Sequence, residues 1–488
     1  MRLSHEHMYA RLLAGDATYN GRFFTGVRTT GIYCLPSCKA RKPKAENVDF
    51  YPTCEAARQA GLRACRKCHP DDYARGADPV MEDIERVVAE IRRSPATFPD
   101  VQAAVKRSGF GTTRFFELCR LHYHATPADL ILRSRLDHTR EALATTTHKI
   151  AELAFAAGFE SLSVFHDQFR RAHGLTPVAF RALAAPDAQA FRLELPAAYP
   201  TAHLLRSLGR DPWSLTERVE GSHYTLLTRI TGHPVQLHLD VATDHVEVRW
   251  SRIEIPGDTG PTPGGLGAGV HALVVGLIGL GQDSVAFCRL ADKLGLRRLT
   301  AGREGLRLVQ TPSVFDGLLW AIIGQQINLP FAFQLRRRLF ERAGHRVSTD
   351  CYLPPTPDDV ARLEVSDLLP LKFSRPKASY VIDISRRITS GALILDDLAH
   401  QSASRVERTL LAVRGLGPWS VNYLMMRSLG FADCVPLGDT GVTSGLQSLL
   451  NLTDRPDVDA TRRLMAVFSP YRSLATAHLW QLNQPHPT

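Results

Sequence analysis

The sequence predicts a multidomain protein, mainly α with α+β parts. Three observations carry this. Four cysteines gather as two close pairs within the first 68 residues. Apolar residues recur at helical spacing from Asp78-Pro79 to about Leu183, and again from about residue 270 to the end. Between them, residues 191 to about 255 alternate apolar and polar positions, as in TLLTRITG and VQLHLDVATDHVEVRW, the period of antiparallel strands. At roughly 100–200 residues per domain, a chain of 488 residues predicts three to four domains. The texture divides it at 1–76, 77–185, 190–304 and 305–488. ALAAPDAQA (182–190) reads as a linker, and PGDTGPTPGGLGAG (256–269) as a Gly/Pro-rich loop.

Composition bounds the partner. With 44% hydrophobic and 22% charged residues the chain can bury large cores. Its net charge of +10 and pI near 9.2 favour a polyanion, a nucleic acid or an anionic membrane. The longest apolar stretch, Val270 to Leu280, stops at Gln282-Asp283 and is too short to span a bilayer. A soluble, cytoplasmic, monomeric protein without a membrane partner is expected. The nine cysteines are an odd number, and Cys54, Cys119, Cys288, Cys351 and Cys434 are scattered. That is metal usage in a reducing compartment, not a disulfide framework.

The first element is the cysteine set. Cys34 and Cys38 lie in TTGIYCLPSCKAR, and Cys65 and Cys68 in RACRKCHP: C-x3-C, 26 residues, then C-x2-C. Two pairs across a short loop suit tetrahedral zinc, with each thiolate about 2.3 Å from the metal. Arg28, Lys39, Arg41, Lys42, Lys44, Arg63, Arg66 and Lys67 crowd the set, so the site faces a polyanion. A structural zinc clip is the alternative reading.

The second element is a repeat. GFGTTRFFELCRLHYHATPADL (109–130) matches GFESLSVFHDQFRRAHGLTPVAF (158–180): Phe115 with Phe165, Arg120 with Arg170, Thr126-Pro127 with Thr176-Pro177, at an offset of 50. Each copy reads as a short helix, a Gly-centred turn and a second helix, which is helix-turn-helix grammar. Two such units resemble the AraC-type DNA-binding domain across about 80–185. The second helices begin near Thr112 and Ser161. Arg114, Arg120, His166, Gln168, Arg170 and Arg171 are candidates to reach bases or phosphates. A helical bundle with basic faces is the bland alternative.

RTTGIYCLPSCKAR, ENVDFY and GLRACRKCHPD together resemble the N-terminal domain of the Ada family of alkylation-response proteins, over about residues 5–75. An AraC-type domain follows there too. The resemblance implies one zinc held by Cys34, Cys38, Cys65 and Cys68. It makes Cys34 the acceptor of a methyl group from a DNA methylphosphotriester, with Thr30, Arg41 and Lys67 at phosphate contacts. Zinc keeps thiols deprotonated, and four thiolates leave the cluster formally at −2. Methylation of Cys34 would reduce that to −1 and weaken repulsion from DNA.

The last element is LLAVRGLGPWSVNYLMMRSLGFADCVPLGDTGV (410–442). Gly415-Leu416-Gly417 makes a tight turn between helical runs, able to offer backbone N–H groups to a phosphate. Asp439 follows 22 residues after Gly417. With IIGQQIN (322–328), Trp419, Tyr423 and SPYRSLATAHLW ending at Trp480, this resembles the helix-hairpin-helix DNA glycosylases, specifically the AlkA type of 3-methyladenine glycosylase. The strand-rich stretch then corresponds to that type's N-terminal α+β domain. The resemblance implies a catalytic Asp439, a monovalent cation at the hairpin, and base flipping into a cleft of Trp419, Tyr423 and Trp480. Taken singly, each aromatic also fits ordinary core packing. Trp419 replaces the Schiff-base Lys of bifunctional relatives, so a monofunctional enzyme is implied. No cysteine follows Cys434, and no Pro-Cys-His-Arg occurs. An iron–sulfur cluster and a guanine-repairing methyltransferase domain are therefore not expected. Gln326 stands where the type inserts a leucine wedge; Ile327 or Gln326 is left for that role.

The expected protein combines a methyl-accepting zinc domain, an AraC-type activator and a glycosylase. Its expected partners are double-stranded DNA, damaged and promoter, and RNA polymerase. Two alternatives remain: a regulator whose glycosylase domain only grips DNA, and a glycosylase that uses the N-terminal half for targeting.

Overall fold

The computed structural model describes residues 3–16, 19–38, 40–74, 78–255 and 265–482. Lys39 and most of the 256–269 loop lie outside these residues. The chain forms two compact units, Met1–Ala89 and Glu90–Thr488.

In the first unit, helix α1 (His5–Ala14) starts at Ser4, whose hydroxyl accepts from the His7 N–H. A four-stranded sheet follows, built from β1 (Phe24–Val27), β2 (Ile32–Cys34), β3 (Val48–Tyr51) and β4 (Arg63–Ala64), in the order β3-β1-β2-β4. β1 is antiparallel to β2 and β3, whereas β2 and β4 run parallel with Tyr33 opposite Ala64. That parallel pair brings the two halves of the cysteine pattern together. β2 ends on Cys34, and Cys65 directly follows β4. Helices α2 (Cys54–Gln59) and α3 (Pro70–Ala74) close the unit. Among the described residues, one apolar cluster of this unit buries Phe24, Tyr33, Leu35, Cys54 and Ala57, and Leu12, Phe23 and Val48 are buried as well, a small core for a fold without a further tie. Helix α4 (Pro79–Arg93) starts where Asp78 accepts the Met81 N–H at 3.1 Å, and buries Met81, Ile84, Val87, Val88 and Ile91 on one face.

The second unit continues with two helix-turn-helix pairs. The first is α5 (Val101–Ser108) and α6 (Thr112–Tyr123); the second is α8 (Ile150–Ala156) and α9 (Leu162–His173). The long α7 (Pro127–Thr145) joins them behind a Thr126/Asp129 capping box, and α10 (Pro177–Ala182) follows. The turn at Gly158 needs glycine twice over. Its φ is +94°, and a Cβ would sit 2.8 Å from the Ala96 Cα.

Residues 182–190, read as a linker, form a mostly exposed turn anchored at Leu183. Leu183 is buried, and its carbonyl lies against Gly267, where a Cβ would come within 2.5 Å. Strand β5 (Ala190–Glu194) starts at once, and helix α11 (Thr201–Leu208) follows. Then come β6 (Glu217–Glu220), β7 (His223–Ile230), β8 (His233–Val241) and β9 (His245–Arg252), in an antiparallel sheet ordered β5-β9-β8-β7-β6. Alternate residues of β9 are buried, as the sequence period requires. Helix α12 (Leu266–Leu277) shares one apolar cluster with this sheet, with Phe165 and Phe169 of the second helix-turn-helix pair and with Phe180 of α10.

The remainder is helical: α13 (Ser284–Lys293), α14 (Val314–Ile323) and α15 (Leu329–Ala343), then α16 (Pro357–Ala361), α17 (Val365–Leu368), α18 (Arg375–Thr389) and α19 (Leu395–Leu398). After these come α20 (Ala403–Leu411), α21 (Pro418–Arg427), α22 (Thr440–Leu450), α23 (Val458–Met465) and α24 (Arg472–Leu482). A small hairpin, β10 (His345–Arg346) with β11 (Tyr352–Leu353), interrupts them. Two-residue strands are too short to leave a period in the sequence. The α14 helix is buried from Phe315 to Ile323 and forms the centre of the largest core. Arg336 of α15 ties the sheet to the helices. It bonds Asp316 at 2.9 Å and Glu217 of β6 at 3.3 Å, all within the interior. No helix among the described residues is long and apolar enough to cross a membrane.

Candidate metal centre and aspartate cleft

The sulfurs of Cys34, Cys38, Cys65 and Cys68 all lie within 4.8 Å of one another. Tetrahedral zinc with bonds of about 2.3 Å would set sulfurs about 3.8 Å apart, so the donor set fits the ion. Hydrogen bonding to Cys38 and Cys68 pushes the Cys34 thiol up, and hydrogen bonding to Cys34 and Cys68 pulls Cys38 down. A crowd of sulfurs competing for protons is one a dication would relieve.

The four sulfurs differ in backbone support. The Lys67 N–H donates to Cys65 Sγ and the Leu35 N–H to Cys68 Sγ, each at 3.4 Å. The Ala40 backbone supports Cys38. The residue two places after Cys34 is Pro36, which has no N–H to give. Fewer donors leave a thiolate more electron-rich. Cys34 is 8% exposed, whereas Cys68 is half-buried.

The surrounding cations divide into two groups. Arg28 pairs with Asp49 at 3.2 Å, Lys44 with Glu46 at 3.7 Å, and Lys42 donates to the Cys38 carbonyl at 2.8 Å. Arg41, Arg63, Arg66 and Lys67 are exposed, as is Thr30 in the turn between β1 and β2.

The helix-turn-helix candidates are placed as follows. Arg114 pairs with Glu117 on its own helix at 3.1 Å. Arg120 is exposed, and its charge reaches Tyr471. On α9, Arg170 faces Glu194 at 3.8 Å, Arg171 pairs with Asp167 at 3.0 Å, His166 is exposed and Gln168 is half-buried.

The second cluster forms around Asp439, the N-cap of α22. Its Oδ1 accepts the Val442 N–H at 3.0 Å and the Trp480 indole N–H at 2.9 Å, and its Oδ2 accepts the Trp419 indole N–H at 3.1 Å. Three donors, one of them a backbone N–H at the start of α22, fix the plane of the carboxyl group. The structure thus brings Asp439 together with Trp419, 20 positions before it, and Trp480, 41 positions after it. Trp419 stacks on Tyr423 with ring centres 5.2 Å apart and planes at 18°, and Tyr423 lies 6.4 Å from Trp480. All three rings are half-buried, so an aromatic wall lies beside the carboxylate.

Sequence reasoning missed several contributors here. Burial works to raise the Tyr423 phenol, but Arg210 and Arg427 outweigh it and hold it below its ordinary value. Arg210 comes from the loop after α11, so no local pattern marks it. Gly441 lets the indole approach; a Cβ there would meet Trp480 Cδ1 at 2.6 Å. Its place two residues after Asp439 was the available signal.

At the hairpin, Gly415 has φ +94° and lies against the Tyr380 ring, while Gly417 caps α21. Gln325 ties this turn to the end of α14, donating to the Gly415 carbonyl at 2.8 Å and the Ser420 hydroxyl at 3.0 Å. Gln326 is exposed with φ +54°, while Ile327 packs against the core.

Comparison with known proteins follows this layout. Residues 7–71 match the metal binding domain of Ada, 104–183 a helix-turn-helix domain, and 319–470 the HhH-GPD superfamily of base excision DNA repair proteins. A DNA-3-methyladenine glycosylase of Bacillus subtilis is 31% identical over 207 residues, which covers 42% of this chain and 68% of that relative. The chain belongs to the DNA-3-methyladenine glycosylase family. A relative of this glycosylase with similar overall length is the probable bifunctional transcriptional activator/DNA repair enzyme AlkA of Mycobacterium tuberculosis. It is 29% identical over 97% of this chain and 96% of its own. The Ada bifunctional activator/repair enzyme of Escherichia coli is 30% identical over 37% of the chain and 49% of its own length. The solved 3-methyladenine DNA-glycosylase of Archaeoglobus fulgidus shares the fold, with a TM-score of 0.51 at 20% identity over 60% of this chain and 99% of that one. The glycosylase here thus follows an Ada-type zinc-binding domain and an AraC-type helix-turn-helix domain in one polypeptide.

Proposed function

We propose that the chain is an alkylation-response protein with two chemistries. Its second unit hydrolyses the N-glycosidic bond of alkylated purines such as 3-methyladenine. Its first unit accepts a methyl group on Cys34 from a DNA methylphosphotriester and thereby activates transcription. Domain limits near 1–76, 77–185, 190–304 and 305–488 go with this reading.

The observation that carries the excision half is the Asp439 carboxylate held by two indoles and a backbone N–H. An N3- or N7-alkylated purine is already cationic, so it leaves without a general acid. The C1′–N bond breaks, and its electron pair neutralises the base. Asp439 stabilises the oxocarbenium-like sugar and orients the water, whose oxygen bonds C1′ while its proton passes to solvent. Trp419, Tyr423 and Trp480 offer faces for the cationic base. Such attraction is worth about 0.5–2 kcal/mol per ring. Trp419 in place of lysine fits a monofunctional enzyme. The exposed, left-handed Gln326 supports its role as wedge over the packed Ile327.

For the first unit, zinc bound by Cys34, Cys38, Cys65 and Cys68 would keep the sulfurs deprotonated. The Cys34 sulfur attacks the methyl carbon, the C–O bond breaks, and a phosphodiester anion leaves. Pro36, with no N–H for Cys34, supports this choice of nucleophile. Thr30, Arg41 and Lys67 would contact phosphate here. Arg114, Arg120, Gln168, Arg170 and Arg171 would do so in the helix-turn-helix pairs. Gly415 and Gly417, with a monovalent cation, would do so at the hairpin. A monomer acting in the cytoplasm on damaged and promoter DNA, and contacting RNA polymerase, completes the proposal.

One experiment tests both halves. The full zinc-loaded chain is incubated with methylated duplex DNA, then bases and peptides are analysed. The expected result is released 3-methyladenine together with a methyl mass increment on the Cys34 peptide. Base release without that increment leaves a glycosylase that uses the first unit only for targeting. The increment without base release leaves a regulator that only grips DNA.

A further inference from the structure

The first helix-turn-helix pair, with the end of α4, meets the glycosylase region directly. His122 Nδ1 lies 2.9 Å from the Ser404 hydroxyl at the start of α20. Arg92, at the end of α4, bonds the His400 carbonyl and lies 5.4 Å over the Tyr123 ring. His124, the residue that ends α6, accepts the Asp433 backbone N–H on Nδ1 at 3.2 Å. Its ring meets Phe431 edge-on at 5.6 Å.

Asp433 begins a short segment that controls both helices of the cleft. Its carboxylate accepts from Arg472 Nε at 2.7 Å, Arg472 Nη2 at 2.8 Å and the Ser469 hydroxyl at 2.8 Å. The next N–H, of Cys434, donates to the Ser473 hydroxyl at 3.1 Å. Arg472 and Ser473 begin α24, the helix that presents Trp480. The N–H after that, of Val435, donates to Asn422 Oδ1 at 3.2 Å, and Asn422 sits on α21 between Trp419 and Tyr423. Asp439 lies four residues further on. One short segment therefore bonds both α21 and α24, the helices whose indoles hold Asp439. Its first N–H is accepted by a residue of the helix-turn-helix domain.

Burial makes His124 suited to this. Desolvation pulls its imidazole down to about 4, so the ring is neutral at physiological pH. With the Asp433 N–H pointing at it, Nδ1 carries the lone pair and Nε2 the hydrogen.

We propose that His124 is a positioning residue for base excision: by accepting the Asp433 N–H, the first helix-turn-helix pair braces the segment that aligns Trp419 and Trp480 on Asp439. The glycosylase is then not autonomous from the DNA-binding domain. This rests on Asp439 as the excision carboxylate.

The test uses the full chain. His124 has φ +54°, a conformation that glycine and asparagine tolerate. His124→Gly removes the acceptor without backbone strain. His124→Asn restores one, because Oδ1 occupies the place of Nδ1. Excision from methylated duplex DNA is followed under saturating and limiting DNA, with thermal melting alongside. His124→Gly is expected to lower kcat about tenfold with KM within twofold, and His124→Asn to recover most of kcat. A loss that appears in KM alone, a loss His124→Asn does not repair although it melts like wild type, or a wild-type kcat in His124→Gly each overturns the proposal. Asp439→Asn is run in parallel. If it still excises, the excision reading itself fails; if it does not and His124→Gly matches wild type, only the brace fails.

Discussion

At the residue scale, the proposed excision depends on how closely two indoles approach one carboxylate. Gly441 sets that approach, since an added Cβ would lie 2.6 Å from Trp480 Cδ1 and 3.1 Å from Asp439 Oδ1. Alanine is otherwise favoured over glycine within a helix by about 0.5–1 kcal/mol. Gly441→Ala should therefore leave the melting temperature near wild type while excision falls at least about tenfold, because the indole must move off Oδ1. A single-turnover assay beside a melting curve checks this; unchanged excision would show that the clamp tolerates displacement. The sequence marked Asp439, Trp419 and Trp480 because they lie in or near recognisable runs. It did not mark Arg210, Asp433 or His124, whose partners are chosen by packing between distant elements.

At the element scale, the hairpin and the zinc sheet make separate predictions. Gly415 has φ +94°, and a Cβ added there would lie 2.5 Å from the Tyr380 ring. Gly415→Ala should distort the turn between α20 and α21, costing about 1–3 kcal/mol of local strain. DNA affinity should weaken for damaged and undamaged duplexes alike, as fluorescence anisotropy would report; loss confined to damaged DNA would place the turn's role in base recognition instead. In the first unit, the parallel β2–β4 pair delivers Cys34 beside Cys65, and an apolar core this small relies on the metal tie. Chelation, or Cys65→Ser, should unfold that unit and leave excision within about twofold. Circular dichroism and base release, measured on one sample, test this. An unchanged spectrum after verified zinc loss would contradict it. The cysteine spacing and the repeat at an offset of 50 were legible because each is a local rule repeated along the chain. The β10–β11 hairpin was not, being too short to leave a period, nor was the contact of Leu183 with Gly267 at the 182–190 turn.

At the scale of the whole molecule, the helix-turn-helix pairs, the sheet and the glycosylase helices form one compact unit. Its interior holds several neutral histidines. Burial pulls His173 down to about 3, and His124, His203, His271 and His478 to about 4, from an ordinary 6.5. The sign follows from linkage. Above pH 6.5 these groups are neutral folded or unfolded, and their full contribution is retained. Between about 6.5 and 4 the unfolded chain takes up protons that the folded one refuses, so stability falls. The melting temperature of the second unit should therefore decline from pH 7 to pH 5, above the range where ordinary carboxylates titrate. A flat profile across that interval would mean that these rings gain protons without unfolding.

Excision by the carboxylate between the two indoles is the step on which the rest depends. It is tested by the single-turnover release of 3-methyladenine from methylated duplex DNA by the full chain and by Asp439→Asn, at DNA concentrations that saturate both. The asparagine variant should bind as wild type does and lose at least about a hundredfold in rate, the scale of removing a principal electrostatic contribution to a transition state. Release at the wild-type rate by Asp439→Asn would contradict the assignment.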